Sequence, residues 1–224
     1  HAFELAEKYR TIVVILADGN IGQMMEPAVL PPMLAVSSRR APWALTGSSG
    51  RPKNLVSSIH LKPEDEEEFN GRLQARLADV RLHEVRFQEY QTDDAEIIVV
   101  GFGTAGRVAQ TAVKQARLQG IPAGLLRPIS LYPFPDERLA ELALQARGFL
   151  VVEMNAGQMV EDVRRAVAGR VPVGFYGRMG GMVPMPDDIL ARIHATSQLA
   201  PQGNGRRHAA TDLQREGRYD HASC

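Results

Sequence analysis

The sequence predicts an α/β fold built on a mostly parallel sheet, and three observations predict it. Apolar runs of strand length, "EIIVVG", "IPAGLL", "FLVVE" and "VPVGF", recur between residues 93 and 194. Amphipathic stretches of helix length stand between them, and Gly or Pro marks most of the junctions. Strands that alternate with helices make a parallel sheet with right-handed crossovers. The bulk numbers agree with a soluble globular chain. It has 224 residues, 44% hydrophobic and 23% charged, which suits one large domain or two small ones. Its 26 basic and 26 acidic residues balance, so no electrostatic pull toward nucleic acid or an anionic membrane is expected. The longest apolar runs fall well short of the roughly 20 residues that span a bilayer, and no signal-peptide pattern is present. The one cysteine, Cys224, closes no intrachain disulfide and is too few for an iron–sulfur cluster, which takes about four thiolates. A reducing cytoplasm is the expected location.

Taken in order, "FELAEKYR" reads as a helix and "TIVVILA", residues 11–17, as a central strand covered on both faces. One helix and one strand make no core of their own. The chain also starts at His1 rather than Met, so residues 1–30 are expected to end a truncated amino-terminal α/β domain. "DGNIGQMMEP", residues 18–27, follows the strand with the turn formers Asp18, Gly19 and Gly22. Loops at strand carboxyl ends are where open α/β sheets bind ligands, although a plain connection has the same composition. Residues 31–92 read as a linker, rich in Pro, Ser, Gly and Arg ("SSRRAPW", "TGSSGRPKN"), with one long helix from Pro63. That helix opens on "EDEEE" near the positive end of its dipole and carries an apolar stripe, Phe69, Leu73, Leu77 and Val80.

Residues 93–194 form the regular domain. Its first helix turns Val108, Ala112, Val113 and Ala116 to one face and stops at Gly120. Its second turns in Leu139, Leu142 and Ala146, its third Val160, Val163 and Val167, and "PDDILARIH" closes it. Residues 195–224 are polar and aperiodic, and are expected to be a disordered tail.

"GFGTAG", residues 101–106, spells GxGxxG between a strand and a helix, the dinucleotide-binding signature. That function makes a second demand, an acidic residue about 20 positions on, to hold the ribose hydroxyls. Leu126 and Arg127 stand there instead, followed by the rigid "PISLYPFP". NAD is disfavoured; Arg127 leaves NADP, through a 2′-phosphate, as a weaker alternative. Without a nucleotide, the glycines serve a tight turn and a close helix–sheet contact. Glu153 and Asn155, in "VVEMNAGQM", end a strand just before a helix whose amino terminus could hold an anion; Asn155 is equally well placed as that helix's cap. "GRMGGMVP" reads as a surface loop shaped for close backbone contact. No GxSxG, HExxH, CxxC or Walker loop is present, so no catalytic or metal-ligating set is assigned.

"FELAEKYR", "ADGNIGQMMEP", "GFGTAGRVAQTAV", "GLLRPISLYPFP", "VVEMNAGQMVEDVR" and "FYGRMGGMVPMPDDIL" stand in this order along residues 2–194. As a set they resemble the carboxyl-terminal part of the alpha subunit of 2-oxoacid:ferredoxin oxidoreductases, most closely the branch acting on 3-methyl-2-oxobutanoate (2-oxoisovalerate). The resemblance implies the end of a thiamine-enzyme pyrimidine-type domain, a linker, and then a transketolase C-terminal-like domain over 93–194 that binds no nucleotide and supports assembly. It implies oxidative decarboxylation of 3-methyl-2-oxobutanoate, 2-oxoglutarate or pyruvate to acyl-CoA and CO2, with reduction of ferredoxin. Thiamine diphosphate with Mg2+ and iron–sulfur clusters would belong to the whole complex, none held by this chain, which would be inactive alone. The implied partners are a beta subunit holding thiamine diphosphate, gamma and ferredoxin-like subunits, ferredoxin, the 2-oxoacid and coenzyme A. The family's thiamine-contacting glutamate has no counterpart position here. Residues at an interface or active-site rim are expected among Asp18, Gln23, Glu26, Arg127, Glu153 and Asn155. A non-catalytic assembly module of another complex is the alternative.

Overall fold

The computed structural model describes residues 1–33 and 41–199. Its elements in chain order are α1 (Ala2–Tyr9), α2 (Gly19–Gln23), α3 (Pro63–His83), β1 (Phe87–Tyr90), β2 (Ile97–Gly101), α4 (Gly103–Leu118), β3 (Ala123–Pro128), α5 (Asp136–Gln145), β4 (Gly148–Glu153), α6 (Met159–Val167), β5 (Val173–Gly177) and α7 (Pro186–Leu199). The chain divides into two compact units: His1–Leu16 with Met24–His83, and Ala17–Gln23 with the residues from Glu84 onward.

The second unit holds the predicted sheet. Its strand order is β1-β3-β2-β4-β5. β2 runs parallel to both β3 and β4, β4 runs parallel to β5, and β1 alone is antiparallel, on the β3 edge. The central strands alternate with period two between two apolar layers. Ile98, Val100, Phe149 and Val151 face α5 and α6, where Leu139, Leu142, Val160, Val163 and Val167 complete one cluster. Ile97, Val99, Leu150 and Val152 face α4 and α7, with Ala109, Ala112, Val113, Ile189 and Ile193. Both faces of β2 are therefore buried, which is why "IIVV" carries no polar alternation. Each fully buried Val, Leu or Ile contributes about 1.5–3 kcal/mol of transfer free energy, and this two-sided layer holds most of the fully buried side chains.

Small residues set how closely α4 lies on the sheet. A Cβ on Gly106 would collide with the Gly101 carbonyl oxygen and come within 3.2 Å of Arg127 Cγ. Helix and strand thus touch backbone to backbone at this point, and the third glycine of the motif has a packing reason. The expected inward faces of the helices are buried, except that Val108 is only half-buried.

Three local expectations are corrected. Residues 11–17 form no strand: Ile12, Val14 and Ile15 are 88%, 75% and 79% exposed, and no neighbour among the described residues supplies a hydrogen-bonding ladder. An apolar run becomes a strand only when an adjacent chain takes up its N–H and C=O groups. β1 lies inside the span read as linker; its four residues, FQEY, are too short and too polar to signal a strand. α7 continues to Leu199, past the expected start of the tail, and the rest of that tail lies outside the described residues.

The first unit contains α1 and α3. The predicted stripe of α3, Phe69, Leu73, Leu77 and Val80, is half-buried, and no residue of that helix is fully buried. No described helix is long and apolar enough to cross a membrane.

Candidate functional site: two sealed helix amino termini

In a doubly wound sheet, ligands gather outside the strand carboxyl ends where the chain order reverses. Here that point lies between β2 and β4: β2 leads through α4 to β3 on one side, and β4 leads through α6 to β5 on the other. Gly101 and Val152 are register partners at this end, so the turns into α4 and α6 stand on adjacent strands. Both helix amino termini offer unpaired N–H groups and the positive end of a dipole. Neither has a local cap. The N-cap residue of α4 is Phe102 and that of α6 is Gln158, and neither makes a side-chain capping bond.

Carboxylates from elsewhere take that role. At α4 the occupant is Asp18, 86 residues earlier. Thr104 N–H donates to Asp18 Oδ2 at 3.0 Å and the Thr104 hydroxyl donates to Oδ1 at 3.1 Å. The same carboxylate caps its own short helix, accepting from Ile21 N–H at 2.8 Å. Gly103 sits at φ 57°, and a Cβ there would meet Asp18 Oδ2 at 2.9 Å, so the second glycine of the motif makes room for this oxygen. Partial burial pushes the Asp18 carboxyl upward, but the N–H groups of Ile21 and Thr104, the Thr104 hydroxyl and the Asn20 backbone outweigh it and hold its pKa below the ordinary value.

At α6 the occupant is Glu153, the last residue of β4 and only 5% exposed. Its Oε1 accepts from Val160 N–H at 2.9 Å, its Oε2 from Met159 N–H at 3.0 Å, and Gln158 N–H lies 3.2 and 3.3 Å from the two oxygens. Asn155 Nδ2 donates to Oε2 at 3.0 Å, while Asn155 Oδ1 accepts from Gly157 N–H at 2.7 Å. Asn155 is therefore not the cap of α6. It closes a tight turn and orients the carboxylate that does the capping.

The six residues singled out from the sequence thus separate. Glu153 and Asn155 form one hydrogen-bonded group. Asp18 and Arg127 both reach the glycine turn, Asp18 at Gly103 and Thr104, Arg127 at Gly106. Arg127 is half-buried on β3 and donates from Nη1 to Gln88 Oε1 at 3.4 Å. It borders a cleft of about 300 Å3 that Gln88, Tyr90, Arg107 and Gln110 also line. Gln23 ends α2 and is exposed; Glu26 is exposed and belongs to the first unit. Thr104 and Gln158 were not singled out. The signal for Thr104 was available: a phenylalanine at the N-cap of a helix implies that its N–H groups are satisfied from outside.

The geometry answers the glycine motif. The seat that would receive a pyrophosphate at the start of α4 is filled by the chain's own carboxylate, and so is its neighbour at α6. Among the described residues no group of three or more His, Cys, Asp or Glu side chains is placed to hold a metal ion.

Residues 95–189 match the model of pyruvate:ferredoxin oxidoreductase core domain II. The chain is 48% identical over 203 residues to the ketoisovalerate oxidoreductase subunit VorB of Methanothermobacter marburgensis, covering 91% of this chain and 56% of that protein. It is 33% identical over 218 residues to the 2-oxoglutarate synthase subunit KorA of the same organism, covering 86% and 58%. A 2-oxoglutarate:ferredoxin oxidoreductase from Magnetococcus marinus shares the fold, with a TM-score of 0.52 at 16% identity over 71% of this chain and 27% of that one. The fold and the matched domain define a core domain of the 2-oxoacid:ferredoxin oxidoreductases. The chain belongs to the family of VorB- and KorA-type subunits of these enzymes, and it spans a little over half the length of those relatives.

Proposed function

We propose that this chain is the carboxyl-terminal portion of an alpha-type subunit in a thiamine diphosphate-dependent 2-oxoacid:ferredoxin oxidoreductase, with 3-methyl-2-oxobutanoate as the first substrate to test and 2-oxoglutarate and pyruvate after it. The observation that carries this reading is the 48% identity to a ketoisovalerate oxidoreductase subunit, which runs through both units of the chain. The reaction joins the 2-oxoacid and coenzyme A to give acyl-CoA and CO2, and two electrons leave singly to two ferredoxins.

Within that complex the second unit has an assembly role. Its two anion seats are filled internally, which supports placing thiamine diphosphate and Mg2+ on a beta subunit. The single cysteine of these 224 residues supports placing the iron–sulfur clusters outside this segment. Gamma and ferredoxin-like subunits, in a cytoplasmic complex, complete the proposal. Asp18, Gln23, Glu26 and Arg127 are offered to the interface or to the active-site rim; Arg127, which lines its cleft, suits planar pairing with a carboxylate across an interface. Glu153 and Asn155 maintain the shape of that rim from within.

The test is anaerobic capture with the chain as bait, followed by native mass spectrometry, thiamine and iron analysis, and an assay of ferredoxin reduction with each 2-oxoacid and coenzyme A. A captured partner carrying both thiamine diphosphate and iron, with turnover once the rest of the subunit is supplied, is the expected result. A stable partner with neither cofactor would overturn it in favour of an assembly module of a different complex.

A further inference from the structure

We propose that Asp18 is a positioning residue: its one carboxylate joins the amino termini of α2 and α4, and so fixes the turn of residues 17–23 on the second unit in the orientation it presents to a partner subunit. The inference has three supports. The carboxylate divides its acceptors between two elements far apart in sequence, taking Ile21 N–H from α2 and the N–H and hydroxyl of Thr104 from α4. The receiving side is shaped for it, since Phe102 supplies no cap and Gly103 leaves space where a side chain would strike Oδ2. Among the described residues the turn also has little else to hold it. α2 contains no buried residue, Asn20 and Gln23 are exposed, and Ile21 is half-buried. A five-residue helix is too short to persist by itself in water, and among the described residues the turn's long-range hydrogen bonds run to α4. GFGTAG is then a receptor for the chain's own carboxylate rather than for a nucleotide.

The partner-facing half of this inference rests on the proposed function; the joint itself does not. The test uses the full 224-residue chain and its Asp18→Ala, Asp18→Asn and Thr104→Val variants. Amide hydrogen exchange is read at Ile21, Gly22 and Thr104, and affinity for the captured partner is read at a temperature where all the variants are folded. Asp18→Ala is expected to speed exchange at all three amides by at least about ten-fold, the equivalent of one capping interaction, while the β2 and β4 amides stay protected. Partner affinity should fall by about ten-fold. Asp18→Asn keeps one acceptor oxygen and should restore part of both readouts; Thr104→Val loses one bond and should fall between. Unchanged exchange at Ile21 and Gly22 in Asp18→Ala would overturn the joint. Faster exchange with unaltered partner affinity would overturn the positioning role. If the chain, with the rest of the subunit supplied, captures no thiamine-bearing partner, the proposed function fails, and exchange still decides whether the joint exists.

Discussion

Removing the carboxylate of Glu153 should be among the most damaging single changes in the second unit. In Glu153→Ala, the N–H groups of Gln158, Met159 and Val160 and the amide of Asn155 lose their acceptor together. Gln158 is exposed and water can serve it; Met159 and Val160 are buried and water cannot. An orphaned buried amide costs about 1–3 kcal/mol. Losing a negative charge at a partly buried helix amino terminus adds about 1 kcal/mol. With two such amides the sum is about 3–7 kcal/mol, a large share of the roughly 5–15 kcal/mol that holds a typical domain together. For a chain of this length it corresponds to a fall in Tm of about 6–28 °C. Glu153→Gln keeps the shape and one acceptor oxygen but aims an NH2 group at N–H donors, so it should lose about 2–3 kcal/mol. Urea unfolding followed by circular dichroism measures both, with an unchanged m-value marking an intact native state. A loss below about 1 kcal/mol in Glu153→Ala would refute the reasoning, because water would then be reaching α6 where the fold excludes it.

Three further outcomes are expected. The pKa of Asp18 is depressed below its ordinary value of 3.8, so its contribution is complete above that value and is lost as pH falls through the lower folded-state value; the stability difference between the unmodified chain and Asp18→Asn should be flat from pH 7 to about 5 and shrink only in stronger acid, and a difference that vanished near neutrality would contradict it. Gly106→Ala places a methyl group against the Gly101 backbone and should cost about 3 kcal/mol or more by forcing helix from sheet, whereas Gly120→Ala, at φ 82° with open space around it, should cost only about 1 kcal/mol; equal losses in thermal unfolding would remove the close-contact explanation. Neither NADPH nor NADH at about 1 mM should raise the Tm measurably, because Asp18 holds the pyrophosphate position; a nucleotide ten-fold above its Kd would stabilise the chain by more than 1 kcal/mol, and a rise abolished by Arg127→Glu would restore an NADP-binding role.

The sequence by itself determined the alternating part of the second unit, from β2 to α7, because its determinants are local. Continuous apolar runs in β2, β3 and β4, helical stripes such as Val160, Val163 and Val167, and the stops at Gly and Pro each describe one segment's own surroundings. It also carried the family, through motifs spread over both units. The tertiary structure decided the rest. GFGTAG specifies a turn and an open helix amino terminus, but not which anion fills it; the occupant, Asp18, stands 86 residues away, and only folding sets it on Thr104. The same holds for Asn155, where cap and functional residue were equally open until Glu153 was placed between it and α6. Residues 11–17 show the converse. Their apolarity is encoded in the chain, whereas a strand also requires a neighbour to take its backbone hydrogen bonds, and pairing is a property of two segments, not one.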